Sequence, residues 1–179
     1  MEILTILQNK NIQFDKGLSE EELKEIEGIY DIVFPKSLRD FLMSALPVSR
    51  GFYNWRDKSN ENVSLTKDIM SSDIKWIKEH AKDAYCFDFT HENPKSPEEI
   101  REYVLSIIDD APKIIPIYSH RFIPMGVSDN PPVISVCGCD VIYYGANLED
   151  YFQIEFGNKK QSEIDFSNIQ KIPFWTDIM

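Results

Sequence analysis

The hydrophobic pattern of the chain changes its period at residue 111, and this change constrains the fold more than any other feature. Before that point, apolar residues recur three and four residues apart, which is the spacing of amphipathic helices. After it come short runs rich in Ile, Val and Tyr, separated by Gly, Pro and Asn, as is typical of strands. Residues 147–156 return to helical spacing. This order predicts an α+β fold, with N-terminal helices packed on a mostly antiparallel sheet and a C-terminal helix.

The helices are predicted from their end signals as well as from their apolar stripes. Ser19 and Glu22 form a capping box that predicts a helix over about 20–28. Pro35 suits the first position of a helix that ends near residue 46, and Ser96 caps one that ends near residue 110. Periodicity further predicts a short helix over 2–10 and one or two over 63–82, with loops over 47–62 and 83–96.

The strands and the core follow from the same patterns. The predicted strands are KIIPIYS, HRFIP, PPVISVCG and DVIYY, and residues 169–177 are predicted to close the fold as an extended segment. Side chains on the apolar stripes should be buried. The expected core residues are Phe41, Leu42, Ile115, Ile134, Ile142, Phe152 and Phe156, together with Leu65, Ile69, Trp76 and Ile77 in the helical region before residue 82.

The composition describes a soluble globule. The chain has 179 residues, of which 42% are hydrophobic and 27% charged, so one domain over 1–179 can bury enough apolar surface without a disulfide or a metal. The net charge of −11 would repel a phosphate backbone, which disfavours direct nucleic-acid binding. Such acidity serves solubility, or steers the protein toward a basic protein partner.

The cysteines and the N-terminal residues favour a cytoplasmic protein. The chain has three cysteines, Cys86, Cys137 and Cys139, which is an odd number. Cys137 and Cys139 are two residues apart, and residues at that spacing in a strand are poorly placed for a disulfide. No signal peptide or membrane span is visible in the sequence. Cys137 lies inside an apolar run, where we expect an inert buried thiol.

No motif of catalytic or metal chemistry stands out. His80, His91 and His120 lack the close ligand pairs of zinc sites, and the chain has neither a nucleophile elbow nor a Gly-rich phosphate loop. We therefore expect no cofactor, no metal and no enzyme activity. A small hydrolase that uses His120 with Asp140 or Cys137 remains an alternative, because catalytic residues meet in space and not in sequence.

The segment from Tyr118 to Met125 is the best candidate for a partner contact, because it sets Arg121 among aromatic residues, as in the centres of protein interfaces. The equally weighted alternative is that Arg121 is held internally by a carboxylate such as Asp140, in a strand that could lie alongside. The candidate partner-binding residues are Tyr118, His120, Arg121, Asp140, Tyr143, Tyr144, Trp55 and Arg56.

Several of these segments, in order, resemble the SMI1/KNR4 family, also called the SUKH superfamily. GLSEEELKEIEGIYDIVFPKSLRDFL over 17–42 is similar to the family's opening pair of helices, and FYNWRD over 52–57 to its tryptophan segment. APKIIPIYSHRFIP over 111–124 and PVISVCGCDVIYYGANLEDYFQIEF over 132–156 resemble its strands and closing helix. The resemblance covers about 17–175. It departs from the family at LPVSRG over 46–51, and over 60–95 it matches only in length and rough pattern.

The resemblance implies a mixed α+β fold without known catalytic residues. Many bacterial relatives look like immunity proteins that bind and neutralise a toxin domain, often a nuclease, and fungal relatives look like interaction hubs in cell-wall signalling. An immunity protein for a cognate, basic toxin domain is therefore the expected function, with a regulatory scaffold as the alternative. A contact surface within 60–95 would be private to this chain.

Overall fold

The computed structural model describes residues 2–81 and 96–179, and these form an α+β fold. The loop predicted from residue 83, with Cys86 and His91, lies almost entirely outside the described residues. None of the helices in the described ranges combines the length and the apolar character that a membrane span requires. The N-terminal elements are α1 (Glu2–Asn9), β1 (Phe14–Lys16), α2 (Glu20–Tyr30), α3 (Lys36–Ser44), β2 (Ala45–Pro47) and α4 (Asn60–His80). The C-terminal elements are α5 (Pro97–Ile107), a 3-10 turn (Ile108–Asp110), β3 (Ile114–Tyr118), β4 (Arg121–Pro124), β5 (Val133–Cys137), β6 (Asp140–Gly145), α6 (Leu148–Glu155) and 3-10 turns at Gln161–Glu163 and Phe166–Asn168.

The predicted caps at Ser19 and Ser96 are confirmed, whereas Pro35, predicted as the first residue of a helix, is the N-cap of α3. The Ser19 hydroxyl accepts from the Glu22 backbone N–H at 3.2 Å, and the Glu22 carboxylate accepts from the Ser19 N–H at 2.8 Å. Ser96 and Asn147 also accept from backbone N–H groups in the first turns of α5 and α6. These side chains satisfy N–H groups that have no partner within a helix, which fixes where each helix begins.

Two antiparallel sheets organise the chain. The smaller one pairs β1 with β2, and the larger one has the order β3-β4-β5-β6. The register pairs Ile115 with Ile123, and Phe122 with Ile134. Because paired residues share a face and neighbours in a strand alternate, the four-stranded sheet has two distinct faces, each of which can carry a core.

A hydrophobic core lies against each face of the larger sheet. Ile115, Ile123 and Val133 belong to the first core, which also contains side chains of α2, α3 and α6. We call the side of the sheet that carries this core the first face. Phe122 and Ile134 belong to the second core, with side chains of α4, α5 and the C-terminal segment, on the second face. The sheet is therefore the middle layer of the described structure.

Most of the predicted core is confirmed. Phe41, Leu42, Ile115, Ile134 and Phe152 are all at most 6% exposed, and Ile77 is fully buried. Phe156, Ile69 and Trp76 are only half-buried.

The prediction is wrong for Ile142, which is 41% exposed, and for Leu65, which is 58% exposed while its neighbour Thr66 is buried. At the start of α4 the inward-facing residue is therefore Thr66 and not Leu65. Within the segment 169–177, which was expected to be extended, residues 173–177 form a turn, and Ile172, Phe174 and Trp175 are buried.

Candidate protein-binding site

Two hairpin turns meet at one end of the larger sheet. The β3–β4 turn contains Ser119 at φ +50°, and the β5–β6 turn contains Gly138 at φ +60°. The Val136 N–H donates to the His120 carbonyl at 3.1 Å, which ties the first turn to the strand that leads into the second. The sequence pattern around Ser119 gives no sign of a left-handed turn residue, since glycine or asparagine is usual there.

The first face is uncovered at this end of the sheet. The register pairs Ser135 with Ile142 and Cys137 with Asp140, which sets these side chains on one face. Ile142 is 41% exposed, and both Cys137 and Asp140 are exposed. We call the exposed residues at this end, Ser119, His120, Cys137, Asp140 and Ile142, the open sheet end. A sheet face left bare on one side is a surface that a partner can cover.

Arg121 is an internal residue beneath this surface. Its side chain is 12% exposed, and its Nε donates to Glu155 Oε2 at 3.2 Å. Its Nη1 donates to Ser135 Oγ at 2.8 Å, and its Cζ lies 3.7 Å from the centroid of the Tyr144 ring. The guanidinium is therefore held by an ion pair, a hydrogen bond and a cation–π contact.

The expected pairing of Arg121 with Asp140 is wrong. Strand β5 lies between β4 and β6, so the two residues sit on strands that are not neighbours, and Asp140 is opposite Cys137. The alternative of an internal Arg121 is correct, but its carboxylate is Glu155 at the end of α6. Nothing in the sequence pairs these two residues, because the contact depends on how α6 lies on the sheet.

Tyr143 and Tyr144 lie on opposite faces of the sheet. Because neighbours in a strand alternate between the faces, Tyr144 packs on the first core and Tyr143 on the second. The Tyr143 hydroxyl donates to the Gln170 carbonyl at 3.0 Å. The candidate patch is therefore divided, and only Tyr144 joins Arg121.

An aromatic cluster braces the β3–β4 turn. Tyr118 contacts Phe52 at 4.9 Å and Phe156 at 5.1 Å between ring centroids. The Ser119 N–H donates to the Gly51 carbonyl at 2.8 Å. Gly51 has φ +99°, and a Cβ there would lie 2.4 Å from the Tyr118 ring, so only glycine fits. Phe52 was part of a predicted loop, and its role in the site was missed.

Helix α4 holds the β5–β6 turn from the second face. The Gly138 N–H donates to Asp73 Oδ1 at 2.8 Å, and a Cβ on Gly138 would lie 3.0 Å from the Trp76 ring. Burial raises the pKa of Asp73 and, with the nearby Arg121 charge, lowers the pKa of His120. Both turns are thus anchored, and the open sheet end is a firm surface.

Trp55 and Arg56 lie in the structural framework. Trp55 is 3% exposed and belongs to the first core. Arg56 donates from Nε to Glu22 Oε1 at 2.7 Å, and from Nη2 to the carbonyls of Lys16 and Gly17 at 3.0 and 3.2 Å. It therefore ties the start of α2 to β1, in the manner of a guanidinium fork.

This tie should make part of the stability depend on pH. Hydrogen bonds from Arg56 and from the Ser19 N–H lower the pKa of Glu22 from 4.5 to about 2. A depressed pKa stabilises the fold above the unfolded value, and this contribution disappears as the pH falls from 4.5 toward 2. Arg56→Ala is expected to cost about 1 kcal/mol at pH 7 and less at pH 3, as measured by urea unfolding. Lys36→Ala, which removes an exposed pair with Asp40, is the control; equal losses at both pH values would contradict this coupling.

The residues of the hydrolase alternative occupy the same end of the sheet. His120 Nδ1 lies 3.1 Å from Ser119 Oγ, and the register pairs Cys137 with Asp140. Cys137 is exposed, so the expectation of a buried thiol is wrong; it is the last residue of β5, beyond the part of the face that the core covers. Among the described residues, no three His, Cys, Asp or Glu side chains are grouped to hold a metal ion.

Comparisons with protein-family models, curated proteins and solved structures yield no match to this chain. The likeness to the SMI1/KNR4 family therefore rests on the sequence motifs.

Proposed function

We propose that this chain is a protein-binding module of the immunity type, which binds and neutralises a toxin domain with a basic surface, and that it is not an enzyme. The resemblance to the SMI1/KNR4 family and the net charge of −11 support this proposal. The observation that carries it is the open sheet end, where an exposed apolar side chain and an exposed carboxylate, Ile142 and Asp140, stand on an uncovered sheet face.

The firmness of this surface suits tight binding. Arg121 and Asp73 fix the strands and one turn from opposite faces, so little conformational freedom remains to be lost on binding. Ile142 provides an apolar contact near the centre, and Asp140 can meet a basic group of the partner. Desolvated contacts of this kind mainly slow dissociation, whereas the overall negative charge mainly speeds association.

Strand β6 adds a backbone edge to the surface. Within the described ranges, no strand pairs with its outer side. The Tyr143 carbonyl accepts from Gln161 Nε2 at 3.1 Å, so the C-terminal segment contacts the edge at that residue. Exposed strand edges pair readily with an extended segment of another protein.

Several carboxylates of α2 are engaged within the protein and not with a partner. Glu20 pairs with Arg39, Glu22 with Arg56, and Glu25 with Lys58. The carboxylates of α2 therefore stabilise the framework, and Asp140 is the acid that we assign to the partner contact.

The proposal is tested with the protein encoded by the neighbouring gene. If that protein carries a toxic domain, co-expression with this chain should restore growth, and the purified pair should form a complex. Ile142→Asp is expected to weaken binding at least about tenfold through faster dissociation. Asp140→Lys should slow association most strongly at low salt.

Leu65→Asp is the matched control, because Leu65 is an equally apolar and exposed residue on α4, away from the sheet. It should leave both rates unchanged, and thermal melting should show that all three variants are folded. Failure to restore growth would count against the immunity role. Full affinity in a folded Ile142→Asp variant would remove the open sheet end from the contact.

A further inference from the structure

A second candidate site lies apart from the open sheet end. It is a cleft of about 500 Å³ between α4, the 3-10 turn after α5 and the start of β3. None of its lining residues belongs to the open sheet end. Its volume is that of a small-molecule site and is too small for a folded partner.

The floor of the cleft is apolar. Ile108, Ile114 and Trp175 are each at most 3% exposed, and Ile74 of α4 lies half-buried beside them. The indole N–H of Trp175 donates to the Pro112 carbonyl at 3.0 Å, so the only polar atom of that side chain is already satisfied. The accessible apolar surface above these side chains comes from Met70, Ile74, Ala111 and Pro112, which are half-buried. A ligand here would gain from burying hydrocarbon against them.

The rim of the cleft is basic, in contrast to the chain as a whole. Lys67, Lys78 and Lys113 line it, against the two carboxylates of Asp31 and Asp109. Lys113 pairs with Asp31, and Lys78 Nζ lies 3.1 Å from Asp109 Oδ1. Lys67 makes no ion pair with any described residue, so it is the cation that can receive an anionic group.

We propose that this cleft binds a small amphipathic carboxylate, such as a free medium-chain fatty acid. The apolar part would lie against Met70, Ile74 and Pro112, and the carboxylate would pair with Lys67. This site is independent of the partner contact proposed above, and either could fail without the other.

The test compares three probes of equal chain length with different head groups: decanoate, decanol and decyltrimethylammonium. Calorimetry should give a dissociation constant for decanoate on the order of 0.1 mM. Decanol should bind more weakly, and the cation should bind weakest because Lys67 would repel it. Binding should shift the NMR signal of the Trp175 indole N–H. Preferential binding to anionic phosphatidylglycerol vesicles, with no binding of decanoate, would assign the cleft to a membrane surface and overturn the proposal.

Two variants separate the carboxylate contact from the apolar floor. Lys67→Gln should weaken decanoate binding about fivefold and leave decanol binding unchanged. Ile74→Glu should weaken both probes, whereas Leu65→Asp on the same helix should weaken neither. Equal binding of all three probes, or decanoate binding that Lys67→Gln and Ile74→Glu leave unchanged, would show non-specific adsorption and overturn the site.

Discussion

Arg121→Ala is expected to lower the free energy of unfolding by about 3–5 kcal/mol. The Arg121 side chain is 12% exposed and that of Glu155 is 19% exposed, so the substitution leaves a mostly buried carboxylate without its cation. The hydrogen bond to Ser135 and the contact with the Tyr144 ring are lost at the same time. Urea unfolding monitored by circular dichroism measures the change.

Lys113→Ala provides the comparison, because it removes an ion pair with Asp31 in which both side chains are largely exposed. Exposed pairs contribute little, so its unfolding midpoint should stay close to that of the wild type. Glu155→Gln should lie between the two, since the amide oxygen can still accept from Arg121. An Arg121→Ala variant as stable as the wild type would contradict the internal role and return Arg121 to the list of possible partner contacts.

The sequence was sufficient for those parts of the fold that local chemistry determines. The capping box at Ser19 predicts the start of α2 because its two hydrogen bonds join residues three apart. The runs of Ile, Val and Tyr after residue 111 predict the strands, because these residues favour sheets and the Gly, Pro and Asn between them favour turns. Strands β1 and β2 were missed, since each has three residues, too few for any period to show.

The candidate site was harder to predict, because it depends on contacts between distant elements. The order β3-β4-β5-β6 inserts β5 between Arg121 and Asp140, and no local pattern indicates this. Tyr143 and Tyr144 point to opposite faces because they are neighbours in one strand, so they could not both join the patch. Ile142 has the spacing of a core residue and is exposed, because burial requires a covering element that only the tertiary structure supplies.

The two proposed sites use different properties of the same acidic chain. At the open sheet end, Asp140 and Ile142 form a shallow surface, which suits a folded partner. In the cleft, Lys67 stands over an apolar floor, which suits a small molecule. Helix α4 contributes to both, since Asp73 anchors the β5–β6 turn and Ile74 lines the cleft. A ligand that shifts α4 would therefore also bear on the turn beside Asp140.

Trp55→Ala is expected to lower the free energy of unfolding by about 3–5 kcal/mol, the usual cost of removing a large buried aromatic side chain. Trp55 is 3% exposed, and its ring meets Tyr30 and Phe34 edge to face, with centroids 5.2 and 5.3 Å away. The melting temperature should fall by roughly 6–20 °C in a chain of this size.

Phe166→Ala is the matched control, because Phe166 is 53% exposed and meets Tyr143 edge to face with ring centroids 6.2 Å apart. It should cost less than about 0.5–1 kcal/mol. If instead Trp55→Ala melts like the wild type and binds its partner more weakly, Trp55 contacts the partner, and the first core does not depend on it. For a core residue we expect a cooperative loss of stability, with unchanged affinity in the fraction that remains folded. The affinity should not change because a side chain with almost no exposed surface cannot contact a partner.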